Sequence, residues 1–181
     1  MKSLVDRLAS YAEYHRDKRN IVTHFVGIPM ILVGTQGALA KIGIGPLNLA
    51  VAATALATKY YRALDPQYGN AMGVVLGATA AIGSLIGSMP LPIWAGTTAT
   101  LFVGGWALQF LGHYFEGRKP AFLDDIKGLM DGPLFLVAEV AFALGLSPAL
   151  KEEVQRRAGP TRWGKKIEAV APTLAHAHAG S

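Results

Sequence analysis

The chain has 181 residues, 51% hydrophobic and only 16% charged, with a formal net charge of +5 and no cysteine. Soluble domains carry about 25% charged residues, whereas here Lys41 is the one charge between Asn20 and Lys59, and none lies between Asp65 and Glu116. That distribution excludes a soluble globular fold. The missing thiols exclude disulfides and thiolate ligands, so any transition metal must be held by nitrogen and oxygen.

The bases gather towards the two ends, in Lys2, Arg7, Arg16, Lys18 and Arg19, then in Lys151, Arg156, Arg157, Arg162, Lys165 and Lys166. No aromatic-interleaved motif accompanies them, so they point to no nucleic acid. Beside apolar spans they read as cytoplasmic flanks that meet anionic lipid headgroups.

In chain order, Leu4, Leu8 and Tyr11, with Ala12, fall at helical spacing over residues 3–15. Asp6, Arg7, Glu13 and Arg16 take other faces, which predicts an amphipathic helix on the membrane surface. Asp17 to Asn20 break it, and Asn20 is the expected N-cap of a first span from Ile21 to about Lys41, with Pro29 inside. Twenty residues, eight of them charged, precede this span, long for the n-region of a cleaved signal, although Ala38-Leu39-Ala40 resembles a cleavage site. Gly43 to Pro46 predict a tight turn before a second span, Leu47 to about Tyr61, ending in Lys59, Tyr60, Tyr61 and Arg62. A third span, Asn70 to Ser88, follows Gly69 and carries Gly73, Gly77, Gly83 and Gly87, a stripe that lets another helix come close. Met89 to Pro92 turn the chain into a fourth span, Ile93 to Phe115.

The apolar run from Pro133 to Leu146 is short of the ~20 residues a span needs, and Glu139 interrupts it. It is read as a re-entrant or interface-buried helix, followed by a surface helix over Pro148 to Arg157. Four spans put both basic termini in the cytoplasm. The expectation is thus an all-α integral membrane bundle of about four transmembrane helices plus interfacial or re-entrant ones. Residues 1–160 form its membrane-embedded catalytic domain and 161–181 a flexible tail, loosely ordered from Gly159 on. His176 and His178 fall in that tail and are assigned no role.

With four spans, His15, His24 and His113 reach one depth on one side. Gln109, His113 and Glu116, at steps of four and three, share a helix face, with Gly105 and Gly112 leaving room for another backbone. On the functional reading His113 is a metal ligand, Glu116 a fourth ligand or a partner behind the ligands, and Gln109 a hydrogen-bond donor to bound substrate or oxygen. The plainer readings are a polar cap at a helix end, a histidine bonded to a neighbouring helix at His24, and a surface residue at His15. Arg118 and Lys119 are interfacial anchors, or bases that draw in a substrate carboxylate. Three imidazoles can occupy one face of an octahedral iron and leave three positions open, which suits a bidentate substrate plus dioxygen.

Two blocks carry a resemblance. Tyr14-His15-Arg16-Asp17-Lys18-Arg19-Asn20-Ile21-Val22-Thr23-His24, followed by Ile28-Pro29, resembles the first motif of the 2-hydroxy fatty acid dioxygenase family, whose fungal member works in phytosphingosine breakdown. Gly105 to His113, with Glu116 and Arg118-Lys119-Pro120-Ala121, is similar to that family's second motif; Asp124 and Gly132 to Glu139 extend the likeness. The resemblance implies a bacterial inner-membrane or endoplasmic-reticulum enzyme that uses Fe(II) and dioxygen to shorten 2-hydroxy fatty acids by one carbon. Its ligands would be His15, His24 and His113. Glu116 sits one residue nearer His113 than in the fungal relative, so its part stays open between ligand and support. The acyl tail is expected among the glycine-lined spans. The reading from another class is a non-catalytic membrane protein, a transporter or assembly factor whose histidines bind metal or protons.

Overall fold

A computed structural model describes residues 3–44 and 47–164. Helix α1 (Leu4–Ala12) starts from a capping box, with Ser3 Oγ accepting from the Asp6 N–H and the Asp6 carboxylate accepting from the Ser3 N–H. Two further helices, α6 (Gly128–Ala143) and α7 (Pro148–Ala158), pack over it. The expected membrane-surface helix is therefore covered by protein along one side, with Ser10 left exposed. Leu8 and Ala12 are fully buried, and Arg7, which periodicity places on an outer face, is buried and donates to Asp131 at 2.8 Å. Periodicity reports one helix alone; the packing of α6 and α7 decides what is outside.

Helix α2 (Lys18–Ala40) begins three residues before the sequence expectation, because Asp17 is the N-cap and accepts from the Arg19 N–H. Asn20 is instead buried inside the helix. The expected tight turn is a hairpin of two-residue strands, β1 (Gly43–Ile44) and β2 (Leu47–Asn48), which pair antiparallel. Asn48 caps α3 (Leu49–Leu64), and Asp65 caps α4 (Pro66–Gly87), where Pro66 opens the helix at no hydrogen-bonding cost. Helix α5 (Leu91–Glu116) stops at Gly117, whose φ of +70° favours glycine.

Among the described residues, α2, α4 and α5 are long and apolar enough to cross a membrane. Helix α3, the expected second span, has 16 residues and falls short on length. It still returns the chain, since Gly69 abuts Arg62 and Gly73 abuts Thr58, so α2 to α5 alternate in direction. Helices α6 and α7 match a span only when joined, and they bend by 119°. The result is an all-α membrane bundle with α1, α6 and α7 gathered at one end. Along described α2 to α5 and their loops, Lys41 is the single charge at the opposite end, where it donates to the carbonyls of Gly87 and Met89.

Glycines set the helix spacing. On α4, Gly83 meets Gln36 and Gly87 meets Ala40 of α2, while nothing lies within 4 Å of a side chain built at Gly77. Helices α2 and α5 form the closest pair, with Gly27 against Gly105 and Gln109, and Gly112 against Thr23, Asn20 and His24. A methyl group at Gly112 would overlap Thr23 Oγ1 and Asn20 Oδ1. Gly112→Ala is expected to cost about 1–3 kcal/mol of stability by overpacking and to lower metal occupancy, read by thermal unfolding and elemental analysis.

Candidate metal centre

Three separate elements supply the histidines. His15 lies in the short link between α1 and α2, His24 on the second turn of α2, and His113 on the last turn of α5. Because α2 and α5 run antiparallel, their start and end coincide, and the capped bend at Asp17 turns His15 back onto them. All three are buried, and one ligand atom from each lies within 4.8 Å of the others. Ring centroids are 4.5 Å apart for His15 and His24, 4.9 Å for His15 and His113, and 5.1 Å for His24 and His113.

Hydrogen bonds decide which nitrogen faces inward. His15 Nδ1 is 2.7 Å from the Tyr11 carbonyl, and His24 Nδ1 is 2.9 Å from the Asn20 carbonyl. A carbonyl only accepts, so each Nδ1 carries the proton and each Nε2 of a neutral ring is a bare lone pair. Those two Nε2 atoms lie 3.1 Å apart. Burial first, then repulsion from His24, holds the His15 pKa well below the ordinary histidine value, so that ring is neutral at physiological pH. Two bare lone pairs in contact repel each other, and His113 adds a buried Nδ1 with no partner. A cation resolves this. Nitrogens bound at about 2.1 Å to one metal and at right angles would sit about 3 Å apart, so this donor set fits a nitrogen-preferring transition metal.

Glu116 is buried beside the histidines, and its oxygens are engaged elsewhere. Oε2 accepts from the Asp17 N–H at 2.7 Å and from Asn20 Nδ2 at 3.2 Å, and Oε1 accepts from Arg162 Nη2 at 3.2 Å. It ties the end of α5 to the start of α2, through the residue whose carbonyl holds His24. Arg162 also pairs through its backbone with Arg16 and Lys18. The chain beyond Gly159, expected to be loosely ordered, is thus clamped to the site as far as the described residues go. His176 and His178 lie outside those residues.

Gln109 is buried with its Nε2 unpartnered, and it lines an apolar cavity of about 380 Å³ that opens beside His24 and His113. The cavity runs between α2, α5 and α6, walled by Ile28, Ile31, Leu32, Phe102 and Trp106. Of the glycine-lined spans expected to take an acyl tail, α4 has Gly69, Gly73, Gly83 and Gly87 packed against α2 and α3, and the cavity lies against α2 and α5 instead. Arg118 and Lys119 are absent from the cavity wall. Arg118 donates to the Glu13 carbonyl at 2.8 Å and stacks on Tyr14, while Lys119 pairs with Asp124 at 2.5 Å. Their expected meeting with a substrate carboxylate gains no support from this placement.

Sequence reasoning missed three contributors. Tyr11 stacks on His15 at 4.1 Å, orients it through its carbonyl and lines the cavity; the i, i+4 spacing could have signalled it. Asn20 bears on His24 by the same spacing. Arg162, nearly fifty residues from Glu116, left no local signal.

A family model described as 2-hydroxy-palmitic acid dioxygenase Mpo1-like matches residues 1–144. The 2-hydroxy-palmitic acid dioxygenase MPO1 of Saccharomyces cerevisiae is 28% identical over 155 residues, covering 84% of this chain and 87% of that protein. No solved structure gives a significant match.

Proposed function

The chain belongs to the Mpo1-like family of 2-hydroxy-palmitic acid dioxygenases, and on that premise we propose that it is an iron(II)-dependent dioxygenase shortening a 2-hydroxy fatty acid by one carbon. The observation that carries this reading is the pair of bare Nε2 atoms, 3.1 Å apart, at the mouth of an apolar cavity. His15, His24 and His113 are the ligands. Iron(II), when bound, would relay the substrate's electrons to dioxygen and offer open positions for a bidentate 2-hydroxy acid. The carbonyls of Tyr11 and Asn20 hold the His15 and His24 rings in the ligating tautomer. Gln109 Nε2 donates a hydrogen bond to a substrate oxygen, and the walls from Ile28 to Trp106 take the acyl tail and exclude water.

The balance needs no external reductant. The C1–C2 bond breaks, C2 becomes the carboxyl carbon of the shorter acid, C1 leaves as carbon dioxide, and one water forms. Dioxygen accepts four electrons, all of them from the substrate. The concentration of charge at the histidine end supports a cytoplasmic site with both termini on that side. Residues 1–160 act as the catalytic domain, with Arg162 as a brace from beyond its boundary.

The test is purified protein in lipid nanodiscs, loaded with iron(II) without oxygen, then given air and 2-hydroxypalmitate. Pentadecanoic acid is expected, with one dioxygen consumed per product. Bound iron without product would overturn the catalytic reading in favour of a metal-binding membrane protein. Gln109→Leu is expected to keep its iron and lose about 10²-fold in kcat, the usual effect of deleting one donor at a reacting centre; single-turnover rates at saturating substrate check it.

A further inference from the structure

Four residues, Leu32, Thr35, Leu129 and Pro133, line both the cavity beside the histidines and a second chamber of about 160 Å³ behind it. They are a partition between the two. We infer that this partition is the stop that sets the length of acyl chain the site accepts. The inference rests on reading the site as a 2-hydroxy acid dioxygenase.

The length and the volume of the first cavity give similar capacities. It is lined on α2 from His24 to Thr35 and on α5 from His113 to Phe102. Each stretch is twelve residues, eleven rises of 1.5 Å, or about 16 Å of helix. An extended hydrocarbon advances about 1.25 Å per carbon, from a bond of ~1.5 Å and a tetrahedral angle, so about thirteen carbons reach the partition. By volume, a methylene takes about the ~30 Å³ of a water molecule, and the cavity's 380 Å³ again holds about thirteen. With C1 and C2 held at the histidines, the chain that just fills the cavity has about fifteen carbons. Its depth is about half the ~30 Å hydrocarbon core, so the tail stays within the leaflet it entered from.

The chamber beyond is closed to the tail by the four partition side chains and is less favourable to hydrocarbon than the first cavity. Gln36 lines it and donates to Thr54 Oγ1 at 3.0 Å, but Gln36 Oε1 is buried without a partner. A methyl end entering that space forfeits part of its gain to this carbonyl, so the shift expected on opening the chamber is smaller than the full value of the added methylenes. Helices α5 and α6 scarcely touch, and Leu129 is half exposed in the gap between them. That gap is the rival route, by which a long tail would leave sideways into lipid.

Two variants press the partition in opposite directions. Leu129→Ala joins the chambers and adds room for about five methylenes at ~30 Å³ each. Thr35→Phe fills the far end of the first cavity. The measurement is kcat/KM for 2-hydroxy acids of 10 to 24 carbons in nanodiscs, with iron content and thermal unfolding recorded for each protein. Wild type is expected to fall by up to about fourfold per methylene beyond the optimum, the value of one buried methylene. Leu129→Ala is expected to raise the ratio for 20 over 16 carbons at least about tenfold, and Thr35→Phe to raise that for 12 over 16 by as much. A general loosening cannot produce both shifts. A wild-type profile flat to 24 carbons, or variants with unmoved profiles, would overturn the inference. Should wild type turn over no 2-hydroxy acid, the function fails rather than the stop. Displacement of a fluorescent fatty acid by the same series then reads the partition directly, and an identical order in all three proteins would overturn it.

Discussion

Alanine at His24 or His113 is expected to empty the protein of iron and cut turnover at least about a thousandfold. A bound metal supplies several kcal/mol of stabilisation to the reacting charge, and each 1.36 kcal/mol is a factor of ten. Both rings are buried and neither has a replacement, because the group within ligating distance among the described residues contains only His15, His24 and His113. The expected effect on folding is the reverse of an ordinary core truncation. In the metal-free protein, His24→Ala removes one of two lone pairs held 3.1 Å apart. Relief of that repulsion offsets the lost packing, so the metal-free variant should unfold no earlier than the metal-free wild type, while added iron(II) should raise the melting temperature of wild type alone. Elemental analysis, product chromatography and thermal scans with and without iron check the three parts. Full iron content with full turnover in either variant would remove that histidine from the site.

Glu116 separates two architectures for the same site. As a ligand it would have to point an oxygen at the metal. In the structure both oxygens serve Asp17, Asn20 and Arg162. Glu116→Ala leaves those donors unpaired around the turn that carries His15 and His24. It is expected to cost about 2–3 kcal/mol of stability and 10–100-fold in iron affinity, as deletions behind metal ligands do. Glu116→Gln keeps a carbonyl oxygen for the Asp17 N–H and the Asn20 amide, and loses the ion pair and hydrogen bond to Arg162, since its NH2 cannot accept. It should recover most of the iron affinity and activity. A direct ligand would behave otherwise, since a neutral amide is a poor replacement for a carboxylate on iron. Iron titration of both variants, followed by turnover at saturating iron, distinguishes the two; loss of iron from the glutamine variant equal to that from the alanine variant would make Glu116 a ligand.

Much of the bundle is legible along the chain because it follows from local composition. Long uncharged stretches mark α2, α4 and α5, while α3, expected as a span, returns the chain with 16 residues, short of the length that marks the other three. The stripe Gly105, Gln109, Gly112, His113 and Glu116 is buried on α5 as its spacing indicates. Arg7 and Asn20 are buried, against their sequence pattern, for one shared reason. A polar residue next to the membrane looks solvated or helix-capping until its partner, Asp131 for one and Glu116 for the other, arrives from more than ninety residues away. The same holds for Arg118 and Lys119, which look free in sequence and are occupied by Glu13, Tyr14 and Asp124 in space.

By itself the sequence determined an all-helical membrane protein, nitrogen and oxygen as the only donors for a metal, and a common depth for His15, His24 and His113, because hydropathy and alternation of spans depend on the order of residues alone. Only the tertiary structure decided that Tyr11 and Asn20 turn two bare nitrogens inward, that Glu116 braces the bend, and that the cavity lies against α2, α5 and α6. Those are matters of a few tenths of an ångström and of which side chain arrives first at a donor. They are settled when distant helices close on their glycine seams, and no local pattern encodes that approach.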